Sequence, residues 1–503
     1  MFGRTLSCAV FVALLFSVDA WATELQICSM DASVTLSKSA TTTITDVSGM
    51  EGTGAKQITI ATSAGDQNPY VWKYISDATA WKNYEGVKFW VKGNTAADNW
   101  GVVDIVYDNN YYHVYAGFEI TTSWTEISIP WREFVQRNYQ GTINQVLQAQ
   151  TAVPTDPNQI QAIGFVIKPI QRIDTADIAQ PLIYRGPVTF SVDDLRLTTG
   201  ITLTTTPVPS SVGLPRSAAK VALGQPLKIL ILGDSISYGT QLNGATRLTD
   251  RYSALIQTML NTALAPTTVT VVNAAIGGKE YWEYACNITD IVKRESPDLI
   301  ITEFMINDTV SSGGPADQTR IAQFRDNVNK SLDIFLRYDQ ADVAVMVPSP
   351  PLADITSHAY DPWAAQLEAA IGERNLLEIN VYDHFMTFGT PATLYAGDSV
   401  HPNAAGHQEI ADVVYNTILP YLQNGDGEAP TVTVSKAVLY GTVSDGVSPL
   451  IQMTVNGVSL GNLTGAWTSQ EVTLNVLPAS TTIPVVGTDA SSNARTVNVT
   501  VGP

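Results

Sequence analysis

Two short segments of this chain carry side chains that could do chemistry together. The apolar run Leu227-Lys228-Ile229-Leu230-Ile231-Leu232 ends at once in Gly233-Asp234-Ser235, and far downstream comes Asp398-Ser399-Val400-His401-Pro402-Asn403. A serine hydroxyl is a weak nucleophile until a neighbouring base takes its proton. Asp398, three residues before His401, can hold one ring nitrogen while the other faces Ser235. Such a set performs acyl transfer. Each segment alone also has a plain structural reading: Asp234 or Ser235 as a helix cap, and Asp398 to His401 as a polar turn. His407, on the helix that follows, reads as a packing or hydrogen-bonding residue.

The elements around these residues alternate. From 226 to 424 apolar strands fit at 227–232, 268–272, 298–304, 342–347 and 379–382, and helices at 251–263, 317–337, 361–374 and 404–422. That grammar predicts βαβ units on a parallel sheet, an α/β/α flavodoxin-like domain. Ser235 then falls at a strand's carboxyl end, where open parallel sheets form their sites. The flanks differ. Residues 24–199 alternate in short strands, as in Val87-Lys88-Phe89-Trp90-Val91-Lys92, and predict a β-sandwich. Residues 200–225 are rich in Thr, Pro and Ser and read as a linker. Residues 428–503, with strands at 431–434, 451–455, 472–476 and 496–501, suit a small Ig-like sandwich.

With 503 residues the chain is too long for one core, and its formal charge of −19 disfavours nucleic acid and anionic membranes as partners. Arg4, the apolar stretch from Cys8 to Val18 and Ala20-Trp21-Ala22 read as a signal peptide over 1–22. The expected location is therefore secreted, periplasmic or cell-surface, with no membrane insertion. Cys28 and Cys286 lie in different predicted domains and are expected to be unpaired.

The middle domain resembles the SGNH, or GDSL-type, hydrolase superfamily through four ordered blocks. These are Gly233-Asp234-Ser235-Ile236-Ser237-Tyr238-Gly239, Val272-Asn273-Ala274-Ala275-Ile276-Gly277-Gly278, Phe304-Met305-Ile306-Asn307-Asp308, and Asp398 to Asn403 with Gly406-His407 following. The resemblance implies Ser235 as nucleophile, His401 as base and Asp398 as its orienting acid. It implies an oxyanion hole from the N–H groups of Ser235 and Gly278, with Gly277 the neighbouring alternative, and the Asn307 amide. No catalytic cofactor is implied. Met305 stands where the family pattern has glycine, which should alter the pocket wall more than the chemistry. Tyr281 and Trp282 could wall the substrate site or pack in the core.

The N-terminal segment resembles galactose-binding-like jelly-roll carbohydrate-binding modules. The resemblance rests on Gly86 to Gly93, Trp124 to Phe134 and Val192-Asp193-Asp194-Leu195-Arg196-Leu197. It implies a sugar-binding role, for which Trp100, Tyr111 and Tyr112 are candidates, and a structural calcium with Asp193 or Asp194 as ligand; a surface turn accounts for those acids equally. The C-terminal segment resembles bacterial Ig-like modules. The leading expectation is a secreted esterase that deacylates a polysaccharide, as a carbohydrate O-acetylesterase. A secreted GDSL-type lipase or arylesterase is the alternative on the same core. A glycan-binding surface adhesin with an idle hydrolase scaffold is the non-enzymatic one.

Overall fold

A computed structural model describes residues 23–50, 54–61, 69–96, 100–107, 112–137, 143–148, 159–167, 187–310, 317–337 and 341–424. Toward the C-terminus it describes the strand backbones of 431–434, 441–444, 451–455, 458–463, 466–467, 481–489 and 494–501. The expected signal peptide, Tyr111 and the strand expected at 472–476 lie outside the described residues.

The middle domain is built on five parallel strands in the spatial order Val269–Asn273, Leu227–Gly233, Leu299–Glu303, Asp342–Val347, Leu377–Asn380. Every residue of Leu299–Glu303 and Asp342–Val347 is buried, as are all but Lys228 in Leu227–Gly233. Strands apolar on both faces belong in a sheet covered on both sides. Two groups of helices do the covering. Pro215–Ala222, Tyr252–Ala263 and Ala404–Asn424 pack together, and so do Tyr281–Glu295, Gln318–Arg337 and Asp361–Gly372. In sequence terms the strand order is 2-1-3-4-5, so chain direction reverses beside the first strand, and the crevice at its carboxyl end is where ligands of such sheets bind. Gly233 and then Ser235 stand there.

Two local expectations need correction. The strand expected at 379–382 ends at Asn380, whose side chain accepts from the Asp383 N–H at 2.9 Å and caps the helix Val381–Thr387. The predicted linker contains the helix Pro215–Ala222, with proline in its first turn. The helix Tyr281–Glu295 was not foreseen. It opens on a capping box in which Glu280 and Glu283 satisfy each other's backbone N–H groups.

The N-terminal region is the expected β-rich unit. It consists of two antiparallel sheets: strands 43–47, 55–60, 188–198, 86–93 and 125–130, with 24–28 also on 188–198, and strands 135–137, 112–119, 100–107, 160–166, 70–74 and 37–38. Phe89, Phe118, Phe165 and Phe190 fill the space between them edge to face, with centroids 5.1 to 6.2 Å apart. Cys28 and Cys286 are both buried and neither is in a disulfide, as expected. In the C-terminal segment the described strands form a three-stranded and a four-stranded antiparallel sheet.

The second of the N-terminal sheets packs on the middle domain. Trp282, Ala285 and Cys286 of the Tyr281–Glu295 helix belong to the sandwich's own apolar cluster. Trp282 stacks on Tyr115 with centroids 5.1 Å apart, and the Trp100 indole donates to the Cys286 carbonyl at 2.9 Å. The Asn327 side chain closes a two-bond clamp on the Gln136 backbone at 3.1 and 3.2 Å, and Arg337 pairs with Glu133. Gly117 has no room for a side chain, because a Cβ there would lie 2.4 Å from the Cys286 carbonyl oxygen. Gly117→Val should therefore pry the sandwich from the helix at a cost of about 1–3 kcal/mol, the usual toll of overpacking. In scanning calorimetry the joint unfolding of the two units should separate into two transitions. A single transition at the original temperature would show that this contact does not hold them together.

Candidate active site

Ser235 opens a short helix, Ser235–Tyr238, directly after the first strand. Asp234 is its N-cap, with one carboxylate oxygen accepting from the Ile236 N–H at 2.8 Å, and Gly239 closes it in the left-handed region at φ 82°. The approach to the turn is tight. A Cβ on Gly233 would meet Ser237 Oγ at 2.3 Å and Glu303 Oε2 at 2.9 Å, so only glycine fits there.

The structure brings His401 and Asp398 to this turn. His401 Nε2 lies 2.9 Å from Ser235 Oγ, and His401 Nδ1 lies 2.7 Å from Asp398 Oδ2. Asp398 Oδ1 accepts from the backbone N–H groups of Val400 and His401 at 3.0 Å each, and Oδ2 also from the Gln241 amide at 2.7 Å. Burial opposes the charge at Asp398, but these backbone donors and the His401 ring outweigh it and hold the carboxyl below its ordinary range. The carboxylate thus favours the tautomer with the proton on Nδ1, leaving Nε2 to accept from the serine hydroxyl.

Asn403 anchors the loop. Its amide donates to the Thr393 and Tyr395 carbonyls at 2.9 Å each, and its Oδ1 accepts from the Gly406 N–H. His407 is buried. It accepts from the Tyr252 N–H, and burial, with the Arg251 and His401 charges adding, drives its pKa down to about 3. It is a neutral packing residue, as expected.

The glycines of the second block form a turn beside the serine. Lys279 N–H bonds back to the Ile276 carbonyl, and Gly278, at φ 79°, takes the turn position that requires glycine. Space beside its Cα is open, while a Cβ on Gly277 would come 3.7 Å from Ser235 Cβ. Asn273 braces this region, donating to the Ser237 carbonyl and the Ser253 hydroxyl. Asn307 also reaches the site. Its Nδ2 donates to Asp234 Oδ2 at 3.0 Å and to the Lys279 carbonyl at 3.1 Å.

Met305, beside Asn307, is fully buried at φ 152°. It does not line a pocket wall, contrary to expectation. The backbone there lies where side chains are rarely found, which is the physical reason the family pattern uses glycine.

A pair of buried acids, Asp234 and Glu303, lies beneath Ser235, and the sequence reading assigns no role to Glu303. Glu303 Oε2 accepts from the Ser237 hydroxyl at 2.6 Å and from the N–H groups of Ser237 and Asp234 at 3.2 and 3.4 Å. Burial raises the Asp234 pKa above the usual carboxyl range. Burial, and then the nearby Asp234 charge, raises Glu303 well above the usual carboxyl range. The one available signal was a Glu at the end of an otherwise apolar strand.

Several expected binding residues lie elsewhere. Trp100 and Trp282 are buried in the contact between sandwich and middle domain, where their rings exclude water rather than meet a ligand. Tyr281 is core, the second of the two roles expected for it. Tyr112 is half-buried and packs near the Tyr107 ring at 5.7 Å. Asp194 is engaged by Arg196 and by the Gln26 amide. Asp193 is fully buried, and its Oδ2 accepts from the Met50 N–H at 2.7 Å. Among the described residues no group of three His, Cys, Asp or Glu side chains could hold a metal ion. Among the described residues no helix is long and apolar enough to cross a membrane.

Residues 231–409 match the model of the GDSL-like Lipase/Acylhydrolase family. Among solved structures, the chain is similar to a psychrotrophic esterase from Pseudoalteromonas sp., at 21% identity over 39% of this chain and 99% of that one, with a TM-score of 0.32. It is similar also to a variant of an acetyl xylan esterase from Geobacillus stearothermophilus, at 21% identity, 38% and 94% coverage and a TM-score of 0.32. A lipase/acylhydrolase from Enterococcus faecalis gives 19% identity, 38% and 94% coverage and a TM-score of 0.32. No curated protein matches the chain. The segment at 231–409 is a GDSL-type hydrolase domain.

Proposed function

We propose that this chain is a secreted serine esterase that removes acyl groups, O-acetyl foremost, from a polysaccharide. The observation that carries the reading is the line of contacts from Ser235 Oγ to His401 Nε2 at 2.9 Å and from His401 Nδ1 to Asp398 Oδ2 at 2.7 Å. In this reading Ser235 Oγ attacks the ester carbonyl as its proton passes to His401 Nε2. The tetrahedral intermediate collapses, the C–O bond to the sugar breaks, and the sugar oxygen takes that proton. Water then attacks the acyl-serine, with His401 again accepting and returning a proton, and the carboxylic acid leaves. Asp398 stays ionised and holds the ring.

The developing oxyanion needs fixed donors. The Ser235 N–H belongs to a first helical turn, whose N–H groups have no helical acceptor. The Gly278 N–H sits at the open turn, and the Asn307 amide stands beside it. An oxyanion would take over the bond that Asn307 now gives to the Lys279 carbonyl, while Asp234 keeps the amide oriented. Polar residues around the nucleophile and the attached β-rich unit support a hydroxylated substrate over a long acyl chain.

Ser235→Ala should lower acetate release from a panel of acetylated polysaccharides by on the order of 10⁴-fold or more. Release by that variant at the parent rate would reject the reading. Asn307→Ala should reduce kcat by about 10²–10³-fold with a smaller change in KM, and an effect confined to KM would remove Asn307 from the oxyanion hole.

The buried acids give a further expectation, this time on stability. Asp234 and Glu303 have folded pKa values raised above their unfolded ones. The folded state therefore keeps protons that the unfolded state releases, and their contribution is lost as pH rises from the ordinary carboxyl range through the raised folded values. Glu303→Gln preserves the acceptor for Ser237 and removes one titration. Its melting temperature should fall less between pH 5 and pH 8 than the parent's, as roughly one proton fewer is linked to folding. Equal falls would show that Glu303 does not titrate on unfolding.

A further inference from the structure

The outer face of the sandwich's first sheet carries a polar row that the hydrolase domain does not use. Gln57, Ser191 and Lys92 are in register across three adjacent strands. Thr125 pairs with Val91, which brings Trp124 beside Lys92. Their strand neighbours Ile58, Val192 and Val91 are buried in the sandwich core, so the two-residue alternation of a strand turns the row outward. With Asn94 and Thr122 at the sheet's end, these side chains line a groove of about 420 Å³.

The chemistry of the groove is selective. Trp124 is half-buried and presents part of a flat apolar ring. Around it stand the amides of Gln57 and Asn94, the hydroxyls of Ser191 and Thr122, and the ammonium of Lys92. A sugar ring has the complementary surface, an apolar C–H face and a rim of hydroxyls that both donate and accept. No carboxylate lines the groove among the described residues. A single lysine is too little for a polyanion, which needs several cations to neutralise its charges. The volume falls within the ordinary range for small-ligand sites.

The groove also lies on the first sheet, whereas the second packs on the Tyr281–Glu295 helix. A ligand held there would tether the chain without blocking the cleft at Ser235.

We propose that this groove binds a segment of neutral polysaccharide through Trp124, with Gln57, Asn94 and Lys92 bonding its hydroxyls. The choice of ligand rests on the esterase reading; the groove itself does not. The sugar contact thus moves from Trp100, which is buried, to a tryptophan on the sheet's open face.

The test is affinity electrophoresis of the full chain in the Ser235→Ala background, through gels containing acetylated xylan or acetylated glucomannan. At least one polysaccharide should retard the protein. Adding Trp124→Ala should weaken retention by roughly tenfold or more, the scale of losing an aromatic anchor. Trp124→Phe, which keeps a flat ring, should retain most of it, and both variants should keep the parent melting temperature. Retention unchanged by Trp124→Ala, or no retardation by either polysaccharide, overturns the proposal. If the parent releases acetate but is not retarded, the groove reading falls and the esterase reading stands. If retention depends on Trp124 but the parent releases no acetate, the esterase reading falls and the groove remains.

Discussion

A hydroxyl and an imidazole 166 residues apart in the chain meet at 2.9 Å, and the organisation of the middle domain can be understood from that contact. Flexible chains do not hold two side chains at such a distance, because each ordered residue costs conformational entropy. Here the cost is met by two rigid supports. One is the parallel strand that delivers Gly233 and Ser235 to the sheet's carboxyl edge. The other is the loop before the last helix, pinned by Asn403 and by the backbone bond from the Ala396 N–H to the His401 carbonyl. Reaction geometry is then inherited from the scaffold.

The support under Ser235 is polar, which is unusual for a position so deep. Asp234 and Glu303 are fully enclosed, and two charges there would be strongly unfavourable. The structure answers with donors, and burial pushes both acids toward their neutral forms. Glu303 receives the Ser237 hydroxyl and two backbone N–H groups, and Asp234 receives Ile236 N–H and the Asn307 amide. This network links the turn of the serine to the strand Leu299–Glu303 and to the short helix Ile306–Val310 that carries Asn307. It thereby fixes the relative positions of the groups that would face an oxyanion.

The sandwich contributes at one remove. Its second sheet grips the helix that begins three residues after Gly278, through Trp100, Tyr115 and Trp282. The turn of Gly277 and Gly278 is thus held between Ser235 on one side and a helix seated on another unit. The residues of that grip are aromatic because large flat side chains remove the most apolar surface from water.

The reacting groups were legible in the sequence because local pattern determines them. An apolar strand ending in Gly-Asp-Ser, a histidine three residues after an aspartate, and alternating strands and helices depend on neighbours along the chain. Four of the five strands of the parallel sheet follow from that pattern, and Leu377–Asn380 was displaced because Asn380 serves as a cap. The Tyr281–Glu295 helix was hidden because its cap is a glutamate and its apolar face serves another domain. Trp100 and Trp282 could not be told from ligand platforms, since a buried indole and an exposed one have the same letter. The sequence by itself determined which chemical groups exist and where the strands present them. Only the tertiary structure decided which aromatics face solvent, that Glu303 and Asp234 share one enclosed space, and that Met305 occupies a glycine-like backbone. Burial, pairing and backbone angle arise from contacts between residues distant in sequence, and such contacts leave no periodic mark on the chain.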